Sequence, residues 1–193
     1  MQSEAWDKVA HDLDFDLEID FDGMRAYISE KSHILDFGCG YGRISNKLST
    51  LGYSNVVGVD SSFEMIKRGA KEFPEVKLLH SPEMPLEFSP NSFDLVIVCG
   101  VLTCIPDRAL RERVILELHR VLKAGGILHI VEFCGDTEPT IKSSFGVEML
   151  HSTKRNYSDL LTTFSILSSC VKRTSTISGR EAKSVSFFAQ KNT

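Results

Sequence analysis

Five short apolar runs separated by helix-patterned segments constrain this chain more than any single motif. The runs are "HILDF" (33–37), "NVVGVD" (55–60), "VKLLH" (76–80), "FDLVIVC" (93–99) and "GILHIVEF" (126–133). Strands that alternate with helices in this way form βαβ units around a parallel sheet. Between the runs, "RISNKLSTLG" reads as a helix closed by Gly52, and "SSFEMIKRGAKEF" as a second. "DRALRERVILELHRVLKAGG" carries Val114, Leu118, Val121 and Leu122 at helical spacing and is expected to stop at Gly125–Gly126. The rhythm then changes. A helix is expected around Tyr157–Thr163, followed by "FSILSSCVKR" and "EAKSVSFFAQK", two strands joined through Ser178–Gly179 as an antiparallel pair at the sheet's edge. With 193 residues and no internal repeat or low-complexity linker, one α/β domain is expected.

Charge and cysteine usage narrow the partners. The 22 basic and 26 acidic residues give a net charge of -4 without a basic run, so neither nucleic acid nor an anionic membrane is expected. The longest apolar run, Leu95 to Ile105, is half a membrane span. The opening "MQSEAWDKVAHDLD" has neither a basic nor an apolar signal region, so a cytoplasmic protein is expected. Cys39, Cys99, Cys104, Cys134 and Cys170 contain no C-x-x-C pair and read as reduced thiols, with no metal site. "HDLDFDLEIDFD" (11–22) alternates acidic and apolar residues, as does an extended segment with one face packed and the other in water. A cation-binding face of Asp12, Asp14, Asp16, Glu18 and Asp20 is the other reading, but metal sites need carboxylates that converge from a turn.

The first run leads into "DFGCGYGR", with Gly38, Gly40 and Gly42 on alternate positions. Too little chain precedes this triplet for it to be the DFG of a protein kinase. A loop that ends a strand and opens a helix points its N–H groups and the helix dipole at the carboxyl edge of the sheet, where open α/β sheets bind ligands. A dinucleotide fingerprint would want Gly or Ala where Arg43 stands, and Asp36 would repel a pyrophosphate. The same carboxylate suits an ammonium or a sulfonium. Asp60, which ends the second run, can accept two ribose hydroxyls.

Taken in order, "ILDFGCGYG", "VVGVDSSFEMIKRGA", "SFDLVIVCGVLTCIPD" and "LHRVLKAGGILHIVEF" resemble the successive motifs of class I S-adenosylmethionine-dependent methyltransferases, over residues 31–134. The resemblance implies a Rossmann-like, doubly wound seven-stranded sheet of order 3-2-1-4-5-7-6 with the last strand antiparallel. It implies S-adenosylmethionine as cofactor and S-adenosylhomocysteine as product. It divides the chain into an N-terminal arm or lid (1–30) that carries Trp6 and Tyr27, a cofactor-binding core (31–134) and a substrate-side segment with a C-terminal hairpin (135–193). Asp36 and the loop of Gly38, Cys39 and Gly40 would hold the methionine end, Asp60 the ribose, and Ser61 and Met65 the adenine, Met65 being equally suited to helix packing. Where many relatives carry an acid after the third strand, this chain has Ser81, which leaves the adenine to Ser81, Pro82 and Glu83. Cys99 and Gly100 would offer backbone groups to the ammonium.

Methyl transfer from a sulfonium is an in-line displacement that needs alignment and, for some acceptors, a base. Thr103–Cys104 stand where small-molecule methyltransferases often carry a His pair. The remaining catalytic candidates are His151, Tyr157 and Glu132, while His129 lies within its strand and reads as a packed residue. The acceptor is expected to be a small molecule methylated at O, N or S. A catalytically silent binding protein of the same fold and a nicotinamide oxidoreductase are the alternatives.

Overall fold

A computed structural model describes residues 2–143 and 145–192. The strands are β1 (His33–Phe37), β2 (Asn55–Asp60), β3 (Lys77–His80), β4 (Phe93–Cys99), β5 (Leu122–Cys134), β6 (Thr140–Lys142), β7 (Glu148–Leu150), β8 (Phe164–Ser175) and β9 (Glu181–Lys191). The helices are α1 (Ser3–Val9), α2 (Phe21–Met24), α3 (Arg43–Thr50), α4 (Phe63–Glu72), α5 (Arg108–Val121) and α6 (Lys154–Asp159), with a 3-10 turn over Leu102–Cys104. Seven strands form one sheet in the order β3-β2-β1-β4-β5-β9-β8. Counting only these strands, the order is the expected 3-2-1-4-5-7-6. Strand β9 pairs antiparallel with both neighbours and is the one strand that opposes the rest. The strands β6 and β7 form a separate hairpin.

Alternate strand residues point to opposite faces, and each face is covered by helices. Leu35, Phe37, Val96 and Val98 pack with Val114, Leu118 and Val121 of α5. Ile34, Leu95 and Ile97 face the other way, onto Leu48 of α3, Met24 of α2 and Leu17 and Ile19 of the arm. The arm over residues 12–19 is therefore extended with its apolar side inward, while Asp12, Asp14, Asp16 and Glu18 are exposed.

Two helix boundaries differ from expectation. Asp107 caps α5 by accepting from the N–H groups of Ala109 and Leu110, but the helix stops at Val121, before the glycine pair. Leu122 is extended, fully buried and paired with Phe93, while the next ladder pair joins Leu95 to Ile127. Gly125, at φ 73°, thus serves the irregular turn between these pairs. The helix α6 starts at Lys154, because Thr153 caps the Asn156 N–H, and ends at Asp159, where Leu160 and Leu161 turn into the core. Among the described residues no helix is long and apolar enough to cross a membrane.

Candidate active site

At the carboxyl end of β1 the backbone enters the left-handed region at Gly38 (φ 70°), Gly40 (φ 55°) and Gly42 (φ 86°), the conformation that glycine adopts without penalty. The N–H groups of Gly38 and Cys39 donate to the Val59 carbonyl at 2.8 and 3.0 Å, tying the loop to β2. A Cβ placed on Gly38 would strike Val101, and one on Gly40 would come within 2.8 Å of the Phe15 ring. The loop is the crowded junction of β1, the turn after β4 and the N-terminal arm.

Two buried carboxylates lie beside it. Asp36 Oδ2 accepts from the Ser45 N–H (3.1 Å) and hydroxyl (2.6 Å). Burial pushes its pKa up to about 6 against these bonds. Asp60 accepts from the Gly40 N–H through Oδ2 and from the Ser62 N–H through Oδ1, both at 2.8 Å, and burial raises it as well. Asp60 thereby joins the glycine loop to the start of α4.

A cavity opens above these groups, lined by Asp36, Gly38, Cys39, Gly40, Asp60, Ser61, Met65, Ser81, Cys99 and Gly100. Ten positions expected from sequence therefore converge. Pro82 and Glu83 do not line it: the Ser81 N–H donates to the Asp60 carbonyl, after which both residues are exposed. The three lining thiols, Cys39, Cys99 and Cys104, are held in the protonated form by burial.

None of the three catalytic candidates reaches the cavity. Glu132 is fully buried and accepts from the N–H groups of Val101, Leu102 and Thr103, each at 2.9 Å, and from the Thr103 hydroxyl at 2.7 Å. Its carboxylate organises the turn whose Val101 and Cys104 line the cavity. Desolvation raises its pKa to about 7, against the pull of those bonds. Tyr157 donates to the Phe133 carbonyl at 3.0 Å and lies 3.2 Å from the Thr103 hydroxyl, so it braces the same turn from behind. His151 is half-buried and stacks on Phe133 at 5.5 Å without lining the cavity. His129 is a core residue: its Nε2 accepts from the Asp20 N–H, its Nδ1 lies 3.0 Å from the Phe187 carbonyl, and burial lowers its pKa to about 4.

Residues of the arm contribute to the cavity lining. Gln2 bridges Cys104 and Glu148, donating to both carbonyls and accepting from the Glu148 N–H. Asp7 accepts from the Ser62 hydroxyl and the Glu64 N–H at the start of α4. Arg68 of α4 donates to the Ala10 and Leu13 carbonyls and to Asp14, with its guanidinium 3.8 Å from the Tyr41 ring centroid. Arg43 binds the Leu17 carbonyl and Glu18. Trp6, Phe15 and Asp16 thereby line the cavity, together with Phe133, Phe145, Met149 and Ile177. Tyr27 does not. It packs on Phe188, over the core face that also holds Met24 and away from the cavity lining. Beyond Trp6 in the arm, this wall had no local signal in the sequence, since it is assembled from four distant segments.

A model of the methyltransferase domain family matches residues 35–130. The demethylmenaquinone methyltransferase of Staphylococcus saprophyticus is 33% identical over 123 residues, which cover 61% of this chain and 52% of that protein. The eEF1A lysine and N-terminal methyltransferase of Bos taurus is 32% identical over 113 residues, covering 53% of this chain and 16% of that protein. The chain thus spans about half the length of the first relative and a small part of the second. Among solved structures, a SAM-dependent methyltransferase of Methanosarcina mazei aligns with a TM-score of 0.80 at 27% identity, over 91% of this chain and 99% of that one.

Proposed function

Because the chain belongs to the class I S-adenosylmethionine-dependent methyltransferases, we propose that it is an enzyme that transfers the methyl group of S-adenosylmethionine to a small-molecule acceptor by in-line displacement. The observation that carries this reading is the convergence of the G-x-G-x-G loop, Asp36 and Asp60 on one cavity at the carboxyl edge of the sheet. The cradle fits the cofactor. Its glycines leave the backbone bare, and its two carboxylates suit one ligand with an ammonium and a vicinal diol. In this reading Asp36 and the backbone of Gly38, Cys39 and Gly40 hold the methionine end, with Cys99 and Gly100 beside them. Asp60 takes the ribose, and Ser61, Met65 and Ser81 the adenine. The bound cofactor supplies an electrophilic methyl group on a sulfonium. The chain's own groups align the acceptor with it and exclude water.

The domain reading follows the same geometry: residues 1–30 as the lid, 31–134 as the cofactor core and 135–193 as the acceptor side. A small acceptor is favoured by the roof of arm and hairpin over the cavity, and the Staphylococcus relative is named for a small-molecule acceptor. The eEF1A methyltransferase relative is the ground for a protein acceptor as second reading. Calorimetry with S-adenosylmethionine, S-adenosylhomocysteine and NAD tests the cofactor. Binding of NAD but of neither adenosyl ligand would overturn the proposal in favour of an oxidoreductase. Turnover against a metabolite panel separates an enzyme from a silent binder.

A further inference from the structure

Part of the cavity lining, from Phe15 beside Gly40 outward to the two hairpins, has a different chemistry from the loop and its carboxylates. Trp6 and Phe15 come from the arm, Phe133 from the end of β5, Phe145 and Met149 from the β6–β7 hairpin and its turn, and Ile177 from the β8–β9 tip. The Trp6 ring lies 5.6 Å from Phe145 and 5.8 Å from Phe15, the spacing of aromatic pairs. Such a wall recognises flat apolar surface and offers few hydrogen bonds to a polar molecule.

Proton acceptors are scarce along it. Asp36 and Asp60 are engaged with Ser45, Gly40 and Ser62 on the cofactor side. Glu132 and Tyr157 stand behind the turn after β4, and His151 stacks on Phe133 without lining the cavity. Among the described lining residues, Asp16 is the one carboxylate outside the cofactor cradle. Carboxylates are weak bases toward alcohols and phenols, whose protons are held many orders of magnitude more tightly.

We propose that this wall is the acceptor subsite and that it takes an apolar aromatic molecule accepting through sulfur or nitrogen, with a lone pair already free at neutral pH. Aryl thiolates are the simplest members of the class. The assignment rests on the methyltransferase reading above. An aryl thiol loses its proton to solvent before it binds. Its sulfur lone pair then forms the new bond to the methyl carbon as the donor's carbon–sulfur bond breaks. The electron pair of that bond stays with the donor sulfur, so thiolate and sulfonium leave as two neutral thioethers.

Trp6 is the only tryptophan, so intrinsic fluorescence reports on this wall. With the intact protein saturated by S-adenosylhomocysteine, thiophenol and phenol should both quench it, and mercaptoacetate at the same concentrations should not. With S-adenosylmethionine, phenol should turn over at least about a hundredfold more slowly than thiophenol, the smaller end of what a missing base removes. Phenol turnover within about tenfold of thiophenol would reveal a base and overturn the inference. So would quenching by mercaptoacetate equal to that by thiophenol, or no response to either aryl probe. A chain that fails to bind S-adenosylhomocysteine by calorimetry would refute the methyltransferase reading itself, whereas these outcomes on the loaded protein refute only the acceptor class.

Discussion

Asp60 and Glu132 show how differently two buried carboxylates can be read from sequence. Asp60 ends a strand one motif after a glycine loop, and its role follows from local geometry: its oxygens meet Gly40 and Ser62, which are close in space because β1 and β2 are neighbours. Asp60→Ala should weaken S-adenosylhomocysteine binding by about 1–3 kcal/mol, the range for charge-assisted hydrogen bonds. Unchanged affinity in a folded variant would refute the ribose assignment. Glu132 lies near the end of a strand, which makes it a catalytic candidate, yet its four bonds all go to the turn over Val101–Thr103. Nothing in "HIVEF" says whether the side chain faces the cavity or the turn beside it, because that depends on the path of the chain after β4. Glu132→Gln puts an amide N–H₂ against a row of donors and should lower stability by about 1–3 kcal/mol. Thermal unfolding measures this, and an unchanged midpoint would show that the bonds contribute nothing.

At the level of elements, the parallel strands were legible because each is a short apolar run with a helix behind it. The ends of α5 and α6 were not, because tertiary pairing of Leu122 and burial of Leu160 outweigh the local stop signals. Beyond Trp6 of the arm, the aromatic wall was hidden for a related reason. Trp6, Phe133, Phe145 and Ile177 are far apart in sequence, and only the docking of arm and hairpins gathers them. Among the anchors of the arm is Arg68, whose side chain is 11% exposed and reaches two carbonyls and Asp14. Arg68→Ala removes charge-assisted bonds worth about 1.5–3 kcal/mol, so the arm should open about ten- to a hundredfold more often. Trypsin cleavage after the exposed Lys8 should accelerate accordingly while the core stays resistant. Cleavage at the wild-type rate would mean that Arg68 does not hold the arm.

Across the whole molecule, buried ionisable groups pull the pH dependence of stability in opposite directions. Glu132 titrates near 7 when folded, against 4.5 as its ordinary value, so between these values the native state binds more protons and loses stability as pH rises. Asp36, at about 6 against 3.8, acts in the same sense. His129 acts oppositely: held down to about 4 from 6.5, it destabilises the fold as pH falls, because the unfolded ring takes up the proton. Comparing wild type with Glu132→Gln isolates one group. The wild type should lose stability relative to the variant between about pH 4.5 and 7, and parallel curves would show that Glu132 does not titrate in this window. The place of β9 has a consequence of another kind. It lies between β5 and β8, yet it is the last of the three to be made. During synthesis, β5 offers the Leu128–Val131 edge to solvent and to other nascent chains until residues 181–191 leave the ribosome. Ribosome-bound chains arrested before residue 181 should therefore remain protease-sensitive, and resistance at that length would show that the sheet matures without its final strand.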